Sequence, residues 1–126
     1  MKRDYKLFVK DILDAIDKIE QFIKDINYQE FIQDDKTSTA VVKKIEIIGE
    51  AIKNIPGDVK AKYSNIPWRD IVGMRNKISH GYFGIDYEIV WAVIKEKLPE
   101  LKPMFHQILG GIKNRKREKK GEKRNE

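Results

Sequence analysis

The chain has 126 residues, 40% of them hydrophobic and 37% charged, and no cysteine, which suits one domain with a single core and excludes a disulfide framework, a thiolate metal site and a cysteine nucleophile. The formal net charge of +6 sits at one end: residues 113–126, KNRKREKKGEKRNE, hold 8 Lys or Arg and 3 Glu, and removing these from the 26 basic and 20 acidic residues of the whole chain leaves a nearly neutral body of 18 and 17. Acids interrupt the apolar positions of MKRDYKLFVKDILDAIDKIE, and no apolar run approaches the roughly 20 residues of a membrane span, which predicts a cytoplasmic protein with no membrane association.

In chain order, Val9, Ile12, Ile16, Ile19, Phe22, Ile23 and Ile26 recur every three or four residues and predict one long amphipathic helix from about Lys6 to Ile26. The following NYQEFIQDDKTST is rich in cap-forming residues and reads as a connecting segment. Val41, Ile45, Ile48, Ile52 and Ile55 mark a second helix that Pro56-Gly57 stops. Residues 58–66 read as a short helical turn and a loop. Pro67 suits the first turn of a third helix carrying Trp68, Ile71, Val72 and Ile78, which Gly81 and Gly84 break. Asp86 is placed to cap a fourth helix through Ile89, Val90, Val93, Ile94 and Leu98, while Pro99 and Pro103 separate or kink it from a last helical stretch to about Ile112.

No segment alternates in the manner of a strand bounded by hairpin turns, and there is no internal repeat. The expected fold class is all-α, an up-and-down helical bundle of four to five helices over residues 1–112 with a flexible basic C-terminal tail over 113–126. A tail without apolar residues cannot offset its ordering entropy. It is either a solubilising terminus or a non-specific attractor of phosphate backbones.

Two residues stand out against this bundle. Gly49 lies inside the second helix, where it costs about 1 kcal/mol relative to Ala, and the favoured reading is a packing glycine that permits close approach. Arg75, at 100° per residue, falls between the directions of Ile71, Val72 and Ile78, in the centre of the apolar stripe of the third helix. A guanidinium there needs a partner, a ligand or a water-filled cleft.

Around it the chain reads Arg75-Asn76-Lys77-Ile78-Ser79-His80-Gly81-Tyr82. Asn76 and His80, four apart, share a helical face if the helix persists to His80, so the amide could orient the imidazole. Arg75 and His80 converge only if the helix ends near Ser79, which Gly81 favours. A permanent cation beside an imidazole suits phosphodiester chemistry: the histidine moves a proton and the arginine stabilises charge on phosphate oxygens. The plainer alternative is that Arg75 pairs with a buried acid such as Glu46 or Glu50 and His80 is an ordinary helix-end residue. His106 lacks a neighbour at metal-ligand spacing and reads as a packed or surface residue, and Asp34-Asp35 reads as a loop or cap. No metal site, glycine-rich phosphate loop or cofactor is expected.

The segments Ile47-Ile48-Gly49-Glu50-Ala51-Ile52-Lys53 and Ile66-Pro67-Trp68-Arg69-Asp70-Ile71-Val72-Gly73-Met74-Arg75-Asn76, followed by Ser79-His80-Gly81-Tyr82-Phe83 and Ile89-Val90-Trp91, resemble the HepT-like toxins of the HEPN superfamily over roughly Lys6 to Leu109. The resemblance implies a helical bundle that homodimerises and acts on RNA as a metal-independent ribonuclease toxin. Its catalytic arginine, polar residue and histidine fall on Arg75, Asn76 and His80. It also implies a nucleotidyltransferase antitoxin as partner, and AMP transfer to the tyrosine of an Arg-x4-His-x-Tyr motif, here Tyr82. The alternative function is a non-catalytic substrate-binding or regulatory subunit of a nucleotidyltransferase.

Overall fold

The computed structural model describes residues 4–79 and 84–110, and every regular element among them is helical. The first helix, α1 (Tyr5–Phe22), starts where the Asp4 side chain accepts a hydrogen bond from the Lys6 N–H at 2.9 Å. Its stripe of Val9, Ile12, Leu13, Ala15, Ile16 and Ile19 is buried as the periodicity requires. The helix stops four residues short of Ile26. Asp25 takes a φ of 62°, a left-handed conformation that a short polar side chain tolerates and that no helix continues through. Ile26 nevertheless packs against the core from the turn.

The segment read as a connection contains a helix of its own, α2 (Tyr28–Gln33). Asn27 and Glu30 form a reciprocal cap: the Asn27 side chain accepts from the Glu30 N–H and the Glu30 carboxylate accepts from the Asn27 N–H, both at 2.9 Å. The short helix exists to bury Phe31, whose ring is fully enclosed and lies 5.1 Å from the Trp91 ring and 6.2 Å from the Tyr87 ring. The next helix, α3 (Asp35–Lys53), begins at once. Asp34 caps it by accepting from the Thr37 hydroxyl at 2.6 Å and the Thr37 N–H at 3.1 Å, and these bonds hold its carboxyl below the usual aspartate value. The apolar stripe therefore starts later than the helix that carries it.

Pro56 closes α3 and opens α4 (Gly57–Lys62). The corner to α5 (Trp68–Ser79) is pinned by one side chain, because the Trp68 indole N–H is shared between the Lys60 and Tyr63 carbonyls, both at 3.1 Å. The same ring meets Phe105 edge-on at 5.8 Å.

Gly84, with φ +101°, leads into Asp86, which caps α6 (Tyr87–Ala92) as expected by accepting from the Glu88 and Ile89 N–H groups. The prolines do not separate this helix from the last stretch. Instead α6 passes through a π turn, Val93–Lys97, into helix over 98–110, with Pro99 and Pro103 inside it. A proline at 99 offers no N–H to the carbonyl four residues back, and the widened turn, in which the Leu98 N–H reaches the Val93 carbonyl, accommodates the loss.

The core is one cluster. Helix α3 lies at its centre, against α1, α2 and α5, with α6 packed on α5. Phe105 and Ile108 from the last stretch are fully enclosed in it. Lys102 ties that stretch to α1 through Glu20 at 2.7 Å and Asp17 at 3.0 Å. The expected basic tail, 113–126, lies outside the described residues. No helix among those described is long and apolar enough to cross a membrane.

Candidate active site

Helices α3 and α5 come together at Gly49 and Arg75. A Cβ on residue 49 would stand 2.7 Å from Arg75 Cδ and 3.4 to 3.5 Å from its Cβ and Cγ. Gly49 is thus a close-approach glycine, as its position in the helix suggested, and what approaches is the aliphatic stem of the arginine. The stem is enclosed by this contact, while the residue as a whole is half-buried.

The polar end of Arg75 is less well served. Its Nε is buried and has no hydrogen-bond partner among the described residues, an arrangement that costs the desolvation of a charged donor with no acceptor in return. Arg75 lines a depression of about 190 Å³ with Lys43, Glu46, Ile47 and Glu50. The two acids that could have neutralised it are present in that depression. However, Glu46 is only half-buried, Glu50 is exposed, and the ion pairs among the described residues do not include Arg75. The pairing with Glu46 or Glu50 that would have made Arg75 an ordinary core cation is not among the ion pairs of the described residues.

Asn76 follows Arg75 by one residue, and the 100° step carries it to a different face. It is exposed and lines a larger groove, about 940 Å³, between α4 and the stretch of α5 from Trp68 to Asn76. Within one chain, then, Arg75 and Asn76 open onto different concavities. His80 and Tyr82 lie outside the described residues; α5 is helical up to Ser79, the residue before His80.

Of the other residues considered from the sequence, His106 is exposed on the last helical stretch, and Asp34 is a helix cap. Among the described residues, no group of three or more His, Cys, Asp or Glu side chains could hold a metal ion. Lys43 was overlooked in reading the sequence, although its spacing to Glu46, Ile47 and Glu50 already places all four on one face of α3. The groove beside Asn76 had no sequence signal, because its two walls are separate helices whose approach is set by the Trp68 corner.

Residues 12–108 match a family model described as ribonuclease HepT-like. A probable ribonuclease HepT of Thermococcus cleftensis is 45% identical over 108 residues, which is 86% of this chain and 98% of that protein. Two candidate RNases of Methanocaldococcus jannaschii are 44% and 45% identical over 114 residues each, 90% of this chain and 98% and 94% of theirs. No solved structure matches.

Proposed function

The chain belongs to the ribonuclease HepT-like family, and on that footing we propose that it is an endoribonuclease that cleaves RNA without a metal, by attack of a ribose 2′-hydroxyl on the adjacent phosphate. The observation that carries this reading is Arg75, a half-buried cation whose Nε has no acceptor among the described residues although two acids line the same depression. An anionic oxygen of a phosphate is the acceptor such a guanidinium fits, bidentately and with permanent charge.

In the proposed reaction His80 takes the 2′-hydroxyl proton as the new O–P bond forms, and Arg75 stabilises the charge that builds on the pentavalent phosphorus oxygens. The bond to the leaving 5′-oxygen then breaks, and that oxygen accepts a proton from a general acid. One imidazole cannot comfortably serve both ends of an in-line displacement. A homodimer would bring up a second His80, and the divergence of Arg75 and Asn76 within one chain fits a site that two chains complete. Asn76 is assigned to positioning the phosphate or His80. The cations of residues 113–126 would add salt-sensitive attraction without entering the chemistry.

The proposed setting is a toxin controlled by a nucleotidyltransferase antitoxin, with Tyr82 accepting AMP. A phosphodiester-linked nucleotide two residues from His80 would put bulk and negative charge where an RNA phosphate should sit.

The test is cleavage by the purified full chain in EDTA. RNA cutting that persists in EDTA and is lost in His80→Ala supports the reading; dependence on a divalent metal, or equal activity in His80→Ala, rejects it. Intact mass after co-expression with the transferase, mapped to Tyr82, tests the control step.

A further inference from the structure

We propose that the groove between α4 and the stretch of α5 from Trp68 to Asn76 is the track of a single-stranded RNA, in which Lys60 and Arg69 contact phosphates and Gly73 gives the sugar-phosphate backbone room to cross α5. The proposal rests on the ribonuclease reading and says where the strand lies as it reaches Asn76.

Three independent observations converge on this groove. The first is Gly73 itself. A Cβ built there meets nothing within 4 Å, in contrast to Gly49, whose missing Cβ is accounted for by Arg75. A glycine in a helix interior costs about 1 kcal/mol relative to Ala, and packing among the described residues does not account for it. Bare helix backbone at that point suits something from outside the chain that comes close.

The second is charge. Lys60 and Arg69 line the groove, and neither takes part in an ion pair among the described residues. Lys102, by contrast, is engaged by Glu20 and Asp17. One acid, Asp70, stands among the lining residues, and the balance is cationic. The third is position: the groove includes Asn76, the residue assigned to positioning the phosphate or His80, although Arg75 of the same chain opens onto the other concavity.

The lining chemistry selects the occupant. Trp68 and Val72 offer apolar surface beside the two cations, the combination that takes a base against the surface and phosphates on the cations. A second copy of this chain is the other occupant such a groove could take, and the oligomeric state of the variant below separates the two.

A labelled 2′-O-methyl oligoribonucleotide, which cannot undergo 2′-hydroxyl attack, is titrated against the full chain at several salt concentrations. The double variant Lys60→Glu/Arg69→Glu is expected to bind on the order of tenfold or more weakly, with the slope of log affinity against log salt shallower by about 1.4, two single-strand phosphate contacts. Gly73→Ala is expected to raise the melting temperature yet weaken binding. Unchanged affinity and slope in the double variant would overturn the proposal. So would a change of oligomeric mass in that variant, by light scattering, that accounts for the lost affinity and so assigns the groove to a second chain. Binding unchanged in a more stable Gly73→Ala would remove the glycine from it. The two readings fail separately: a chain that cuts RNA with a KM indifferent to Lys60 and Arg69 rejects the track alone, and one that binds the probe through them but cuts no RNA rejects the catalysis alone.

Discussion

Arg75 lies across Gly49 so closely that a single methyl group on residue 49 would stand 2.7 Å from Arg75 Cδ. The glycine of α3 is therefore part of the seat of the arginine on α5, and the two are expected to fail together in function though not in folding. Alanine at 49 gains up to about 1 kcal/mol of helix propensity and spends it on displacing a long side chain that can move. Gly49→Ala should melt within about 1 kcal/mol of the wild type while cleaving RNA on the order of tenfold more slowly, since small misplacements of a catalytic group are costly. Thermal unfolding beside a cleavage assay checks both halves.

Removing the guanidinium should not harm the fold. Its buried Nε makes no hydrogen bond and its charge makes no ion pair among the described residues, so Arg75→Met keeps the stem and discards an unsatisfied donor. The unfolding free energy in urea is expected to equal or exceed the wild-type value by up to about 1 kcal/mol. A residue serving structure through a buried pair would instead lose about 3 to 5 kcal/mol on losing its partner.

Helix α2 is expected to be integral to the fold despite its six residues. Phe31→Ala empties a fully enclosed site against Tyr87 and Trp91 and should cost about 3 to 5 kcal/mol. Asn27→Ala removes the cap and should cost about 1 kcal/mol. Denaturant midpoints at a common slope separate the two.

The α1 tether has a pH signature. Hydrogen bonds that the Lys102 ammonium donates to the Glu20 and Asp17 carboxylates raise its pKa above the ordinary 10.5. A raised folded-state value means the contribution is complete below pH 10.5 and is lost as pH climbs through the higher folded value. The stability gap between wild type and Lys102→Met, under about 1 kcal/mol for so exposed a pair, should close over that alkaline window and stay constant from pH 7 to 9. A gap that persists above the window would assign the loss to packing of the lysine stem.

What could be read from the residues follows from how far each signal reaches along the chain. The stripes of α1 and α3 and the Asp86 cap are local, with a period of 3.6 residues or a side chain bonded two or three residues on, and they appear as expected. Helix α2 is too short to display a period and buries one residue, so its only sequence mark is the pairing of Asn27 with Glu30. Pro99 and Pro103 suggested a break or a kink because the widening that admits Pro99 is a backbone adjustment that residue type does not display. The position of Arg75 among Ile71, Val72 and Ile78 was legible on the helical wheel. Its partner Gly49 was legible only as an unexplained glycine, because the register between two helices is fixed by the whole core. The separation of Asn76 from Arg75 was implicit in the same wheel, but the groove it faces needed α4 in place.

The most direct measurement of the central claim is the single-turnover rate of RNA cleavage in EDTA for the wild type and for Arg75→Met, with both shown to be folded. The account predicts cleavage by the wild type that EDTA does not diminish, and a fall of about 10²-fold or more in the variant, the scale of losing one charged donor to a transition state. Cleavage abolished by EDTA, or a variant rate within a few-fold of the wild type, would contradict it.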